Sequence, residues 1–263
     1  MFYFLGFYLN LNKIFKMKSR IVLLIISATI ISCSKKKDIK EVSVKKDTLH
    51  QTISEKTETE YEEAFIAPDF PKTGKNVDDF VISPYVIKMK AEGFLNDDVF
   101  KDIVIVLQNE DDNKDSRAVL VLLKQKTGEY KLQDISWEAL DPEYSANDYQ
   151  IYTSEEIYIE NKMLHIMLQS GGGPPGTRET LYKYINDNLV LTEIHTFNAG
   201  AGSHLSSDYN LITGVVEHEV TNTLHDSMPS KHEIKTFQLK RQMLFAKDNP
   251  NTVQEDLPGS DNF

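Results

Sequence analysis

Short apolar runs separated by clusters of turn-forming residues dominate the middle of the chain. Lys101-Asp102-Ile103-Val104-Ile105-Val106-Leu107 and Ala118-Val119-Leu120-Val121-Leu122-Leu123 are continuous β-branched and aliphatic runs, too short for helices. They predict two central strands covered on both faces, because a strand with one wet face alternates polar and apolar positions. The polar, acidic stretch Gln108 to Arg117 between them reads as a solvated connection. Thr127-Gly128-Glu129, Glu160-Asn161-Lys162 and Asn186-Asp187-Asn188 each join apolar stretches. Gly and Asn tolerate the positive φ of favoured hairpin turns, so hairpins are predicted at 123/130, 158/164 and 184/190. Val215 to Val220 and Ile234 to Lys240 complete a set of eight or more strands. No amphipathic helix longer than about three turns is present, which predicts a mostly-β fold: antiparallel sheets, sandwich-like or a partly open barrel, with few short helices. No fixed-period repeat supports a propeller.

This texture extends over residues 64–247, and both ends depart from it. Ser34 to Glu63 mixes Lys, Asp, Glu, Ser and Thr, including Glu55-Lys56-Thr57-Glu58-Thr59-Glu60. Such composition cannot offset the entropy of ordering and predicts a flexible tether, with a solvated helix as the alternative. Asp248 to Phe263 carries Pro250, Pro258 and Gly259 and no basic residue, and is expected to be a disordered tail.

At the amino terminus, Met17-Lys18-Ser19-Arg20 precedes an apolar run from Ile21 to Ile31, broken by Ser27, Ala28 and Thr29, and then Ser32-Cys33. A basic start followed by an apolar run of this length has the form of a secretory signal, residues 1–33. Ile30-Ile31-Ser32-Cys33 resembles the bacterial lipobox, which implies that the Cys33 thiol is acylated and becomes the new amino terminus. The alternative is an uncleaved anchor helix with an incidental cysteine. Met17 is the expected true start, since the aromatic-rich stretch Met1 to Lys16 precedes a better-formed signal. Ser34, rather than Asp, follows the cysteine, which the resemblance ties to the outer membrane. The basic Lys35-Lys36-Lys37 favours the periplasmic leaflet and suits anionic lipid.

Charge narrows the function classes. The chain carries a formal −11, and the four cations before Cys33 leave with the leader, taking the exported part to about −15. Such a surface repels phosphate backbones, and basic patches interleaved with aromatics are absent, which excludes a nucleic-acid partner. One cysteine cannot form an intramolecular disulfide, and its place in the lipobox-like segment accounts for it.

Candidate chemistry is sparse. Gly93-Phe94-Leu95-Asn96-Asp97-Asp98-Val99-Phe100-Lys101-Asp102 leads directly into the Ile103 strand and resembles the calcium loop of FG-GAP and VCBS-like β modules. The resemblance assigns Asn96, Asp98 and Asp102 as metal ligands, since calcium takes several hard oxygen ligands. It is degenerate: Phe94 replaces the first Asp and Val99 the turn glycine. The other reading is that these side chains simply turn the chain into a buried strand. Together with Ser170-Gly171-Gly172-Gly173 and Tyr209-Asn210-Leu211-Ile212-Thr213-Gly214, the loop is similar to parts of bacterial envelope lipoproteins of no assigned activity. That likeness implies fold and address only.

Gly171 to Gly176 lacks the Gly-Lys-Ser/Thr ending and following helix of a phosphate cradle, and reads as a turn, with Arg178 opening the next strand. Asn198-Ala199-Gly200-Ala201-Gly202-Ser203-His204 reads as a flexible connection or the rim of a groove. His165 and His195 lie inside strand-like runs. His218, His225 and His232 recur every seven residues, a spacing that alternates faces on β structure and so does not converge on a metal. No Gly-x-Ser-x-Gly is present, and pairs such as Asp141/Glu143 and Glu155/Glu156 are ordinary in an acidic chain. Asp47-Thr48-Leu49 and Asp226-Ser227-Met228 resemble bacterial O-glycosylation sites, consistent with export. The leading expectation is a non-enzymatic, membrane-anchored module, outer-membrane and facing the periplasm, that binds a protein or glycan without a cofactor. Its rivals are an envelope hydrolase drawing on the carboxylates with His165 or His204, and a calcium-stabilised adhesin-like module.

Overall fold

The computed structural model describes residues 67–170, 176–200 and 202–260. The expectations for the leader, Cys33 and the tether Ser34 to Glu63 lie outside the described residues, as do Gly171 to Pro175.

The first part forms a five-stranded antiparallel sheet. Its strands are β1 (Thr73–Gly74), β2 (Tyr85–Gly93), β3 (Asp102–Asn109), β4 (Ala118–Lys124) and β5 (Tyr130–Ser136), in the order β1-β5-β4-β3-β2. A larger antiparallel sheet follows: β6 (Ser154–Glu160), β7 (Met163–Gln169), β8 (Thr177–Ile185), β9 (Asn188–Gly200), β10 (Ser203–Asn210), β11 (Val215–Asn222) and β12 (Ser230–Thr236), each paired to the next. A short β13 (Met243–Leu244) pairs with β9, and α1 (Pro250–Glu255) follows it.

The two sheets form a sandwich rather than a closed barrel. Val104, Val106, Val119 and Val121 of the smaller sheet share a core with Leu164, Ile166, Tyr182, Leu191 and Ile194 of the larger. On the smaller sheet's other face, Ile103, Ile105, Leu107, Leu120 and Leu122 pack under Phe70, Phe80 and Tyr85. β3 and β4 are therefore covered on both sides, as their unbroken apolar runs predict. The edges of the two sheets approach at β2 and β6. A Cβ on Gly93 would collide with the Ile159 side chain, so the close approach needs glycine there.

The three predicted hairpins form. Asn161 and Lys162 (φ 51° and 62°) and Asn186 and Asp187 (φ 50° and 63°) make two-residue turns with both residues left-handed, which match strand twist.

Three expectations need correction. Asn198 to His204 is not a loose connection: β9 runs to Gly200 and pairs with β10 from Ser203, since Gly202 at φ 104° permits a tight reversal. The strand expected at Ile234 to Lys240 is displaced to Ser230–Thr236. This edge strand is almost wholly exposed, so burial leaves no pattern to read in it. The expected disordered tail, Asp248 to Phe263, is ordered through Ser260. Pro250 opens α1 behind an Asn249 cap, because proline at the first helical turn starts rather than breaks a helix. Val253 and Leu257, four residues apart, enter the inter-sheet core.

Candidate functional site

The loop expected to ligate calcium is bonded to itself and to a neighbouring strand. Asn96 Oδ1 accepts from the Asp98 N–H (2.9 Å) and Asp98 Oδ1 from the Phe100 N–H (2.8 Å). Asp102 is fully buried; its two carboxylate oxygens accept from the Leu95 and Lys124 amides, each at 3.0 Å. Burial pushes the Asp102 carboxyl above its usual range against those hydrogen bonds. The loop oxygens thus perform the turn-into-strand role, tying the β2–β3 loop to the end of β4. Phe94 and Val99, which stand at the degenerate positions of the loop, are exposed. Among the described residues no group of three His, Cys, Asp or Glu side chains converges on one point.

The histidines are distributed rather than gathered. His165 on β7 is buried, stacks on Tyr158 with ring centres 4.4 Å apart, and meets Glu179 Oε1 at 2.8 Å. Tyr158 donates its hydroxyl to the same oxygen. Burial pushes Glu179 up, but the hydrogen bonds from Tyr158 and His165 outweigh it and leave the carboxyl below the usual range. Tyr158 is pushed up to about 12 by burial and by the Glu179 acceptor. His195 sits between Asp208 (2.6 Å) and Glu193 (3.1 Å). His204 contacts the Phe197 ring, and His225 lies in the β11–β12 connection. His218 pairs across with Glu233, and its strand neighbour Glu219 with His232, so these two histidines stand on opposite faces.

His218 does form the hydroxyl–imidazole pair an enzyme would need. Ser207 Oγ lies 2.7 Å from His218 Nδ1, and His218 Nε2 lies 3.1 Å from the Pro258 carbonyl. The carbonyl holds the tautomer with hydrogen on Nε2, leaving Nδ1 to accept from the serine. The pair is nevertheless mostly covered. Ser207 is 1% exposed, and Gly259 is so close that a Cβ there would strike the His218 ring. It fastens the carboxy-terminal segment to the sheet, and both residues border a hollow of about 460 Å³ shared with Glu219, His232 and Glu233.

A second polar group crosses the sandwich. Arg117, just before β4, forms a bidentate pair with Glu155 on β6, and its Nε donates to the Asp141 carbonyl at 2.6 Å. The Asp141 carboxylate accepts from Tyr152 Oη (2.7 Å) and Asn251 Nδ2 (2.8 Å) and lies 3.6 Å from Arg178. Arg178 opens β8 as expected, but it is buried in this network rather than displayed in a cleft, and its Nε has no hydrogen-bond partner among the described residues. Sequence reasoning did not assign Arg117, Asp141, Tyr152 or Ser207 a role. Their partners are 11 to 110 positions away, a separation that local patterns do not report.

A concavity joining both sheets lies at one end of the sandwich. The β2–β3 loop, the end of β4, β5, the β6–β7 turn and the β8–β9 turn enclose a cleft of about 710 Å³. Leu95 and Leu123 are its apolar lining, and Lys131, Lys162 and Lys183 are its cations. Asn96, the first residue of the expected metal set, also lines this cleft, whereas Asp98 lines a shallower hollow beside Phe94 and Val99.

The chain matches no family model, no curated protein and no solved structure. Function therefore has to be argued from its own residues.

Proposed function

We propose that this chain is a lipid-anchored bacterial envelope protein whose β sandwich binds a protein or glycan partner without transforming it. The observation that carries the address is the order of Lys18 and Arg20, the apolar run from Ile21, and Ser32-Cys33. In this reading Cys33 carries the acyl chains, the bilayer is the first partner, and the domain works from the periplasmic leaflet of the outer membrane. The non-catalytic half rests on the side chains a hydrolase would use. Ser207 and His218 are locked under Pro258, and His165 and His195 are held by carboxylates on strand surfaces outside the end cleft. Open clefts with mixed polar and apolar linings at the ends of a rigid sandwich suit recognition.

Two measurements test this. Growth with an alkyne-tagged fatty acid should label the protein, and Cys33→Ala should abolish the label and release the chain from the membrane fraction. Unlabelled wild-type protein with unchanged fractionation of the variant would overturn the anchor. Crosslinking of the acylated protein in its own envelope should capture a partner, whereas turnover of an envelope glycan or peptide by the purified protein would overturn the non-catalytic reading.

A further inference from the structure

We propose that the end cleft is an anion-binding site and that its ligand is a saccharide carrying a carboxylate or phosphate group. This rests on the reading of the domain as a binding module and names what one face of it binds. Three ammonium groups from three separate elements, Lys131 on β5, Lys162 in the β6–β7 turn and Lys183 on β8, line one hollow of about 710 Å³. Two carboxylates, Asp97 and Asp187, line the same hollow, so the three lysines are only partly neutralised. Lys162 pairs with Asp97 on the rim, in an ion pair whose members are 50% and 97% exposed. Lys131 rests on the neutral amide of Gln133 at 3.2 Å. Among the described residues no carboxylate is in direct ion-pair contact with Lys131 or Lys183, although Asp134 and Asp97 are near enough to act on them electrostatically.

Like charges held together by a fold raise the local potential, and a concave wall focuses it, so an anion gains more there than on the open surface. The rest of the lining narrows the ligand. Asn96, Gln133 and Asn186 supply amides that donate and accept, which is the chemistry that reads sugar hydroxyls. Tyr184 gives its hydroxyl to Asp134 at 3.1 Å, which leaves its half-buried ring as the aromatic surface of the cleft. A bare inorganic anion would use the lysines and leave the amides idle. A nucleic acid, the other large polyanion, meets a strongly acidic molecule outside this hollow.

The experiment is calorimetric titration of the full-length protein in a non-ionic detergent with four probes: trigalacturonate, glucose 6-phosphate, maltotriose and inorganic phosphate. At low ionic strength trigalacturonate, glucose 6-phosphate or both should bind, with affinity falling as salt is raised. Maltotriose should not bind, and inorganic phosphate should bind more weakly than the charged sugars. Binding of trigalacturonate alone assigns a carboxylated glycan, and of glucose 6-phosphate alone a phosphorylated one. Lys131→Gln with Lys183→Gln should weaken the charged sugar about tenfold with an unchanged melting temperature, while Lys235→Gln, outside the cleft, should leave it unaltered. Equal affinity for maltotriose, equal affinity for inorganic phosphate, no binding by any probe, or full affinity in the double variant would each overturn the proposal. If envelope crosslinking still captured the partner in the double variant, the binding-module reading would stand and only this cleft would lose its assignment.

Discussion

Arg117 and Glu155 join the two sheets through paired hydrogen bonds, Nη1 to Oε2 and Nη2 to Oε1, both 2.7 Å long. Arg117 is 1% exposed, so that carboxylate and the Asp141 carbonyl take the place of water around its guanidinium. Glu155→Gln should lower stability by about 3 kcal/mol, because a buried guanidinium left without its counter-charge costs more than the lost bonds. Replacing both residues, Arg117→Met with Glu155→Leu, should cost much less than that single change. Chemical denaturation of the three proteins checks this; equal losses in the single and double variants would show that packing, not charge, is at issue.

Asp102 is the second joint. Asp102→Asn keeps one acceptor but turns an NH2 group towards a backbone N–H, so it should destabilise by about 1–3 kcal/mol. The unsubstituted protein tests the metal expectation. With the loop oxygens already accepting from the chain's own amides, millimolar calcium and chelator should give superimposable thermal melts, and a calcium-dependent rise in melting temperature would show that the loop reorganises around an ion.

The carboxy-terminal segment should behave as part of the core. Leu257→Ala is expected to cost about 2–4 kcal/mol, a loss that a disordered tail could not produce.

Acid should loosen this segment. The Arg241 ion pair holds the Asp248 carboxyl below its ordinary value of 3.8, against a smaller effect of burial. A depressed carboxyl contributes stability that is complete above the ordinary value and is lost as pH falls through the lower folded one. Protection of the α1 amides should therefore fall as pH drops below 3.8, and Asp248→Asn should show the reduced protection already at neutral pH. Identical exchange in the two proteins at neutral pH would remove Asp248 from the account.

The Asn161–Lys162 turn offers a gain. Lys162 has φ 62°, which costs a non-glycine residue about 1 kcal/mol, and Asn-Gly is the preferred pair for this turn. Its exposed bond to Asp97 contributes little against that. Lys162→Gly should raise the midpoint of denaturation, and a lowered midpoint would mean that the ion pair outweighs the strain.

Much of the architecture was legible along the chain because it depends on neighbours in sequence. The apolar runs at Ile103 to Leu107 and Ala118 to Leu122 announced two-sided burial, and Asn161 and Asn186 announced hairpins, since positive φ is a local property. The tail was misjudged for the opposite reason. Val253 and Leu257 are too few to mark a helix by pattern, and they become core only because the fold brings them into the same buried cluster as Tyr209, Val216 and Phe245.

By itself the sequence determined the mostly-β class, the positions of the tight turns, the acidity of the molecule and the lipobox-like order around Cys33, all of which follow from residue type and short spacing. Tertiary structure alone decided that Ser207 meets His218 under Pro258, that Arg117 reaches Glu155, and that Lys131, Lys162 and Lys183 share one hollow. Sheet pairing and sheet stacking bring together residues tens of positions apart, and which strand lies beside or above another is set by the packing of the whole chain rather than by any segment of it.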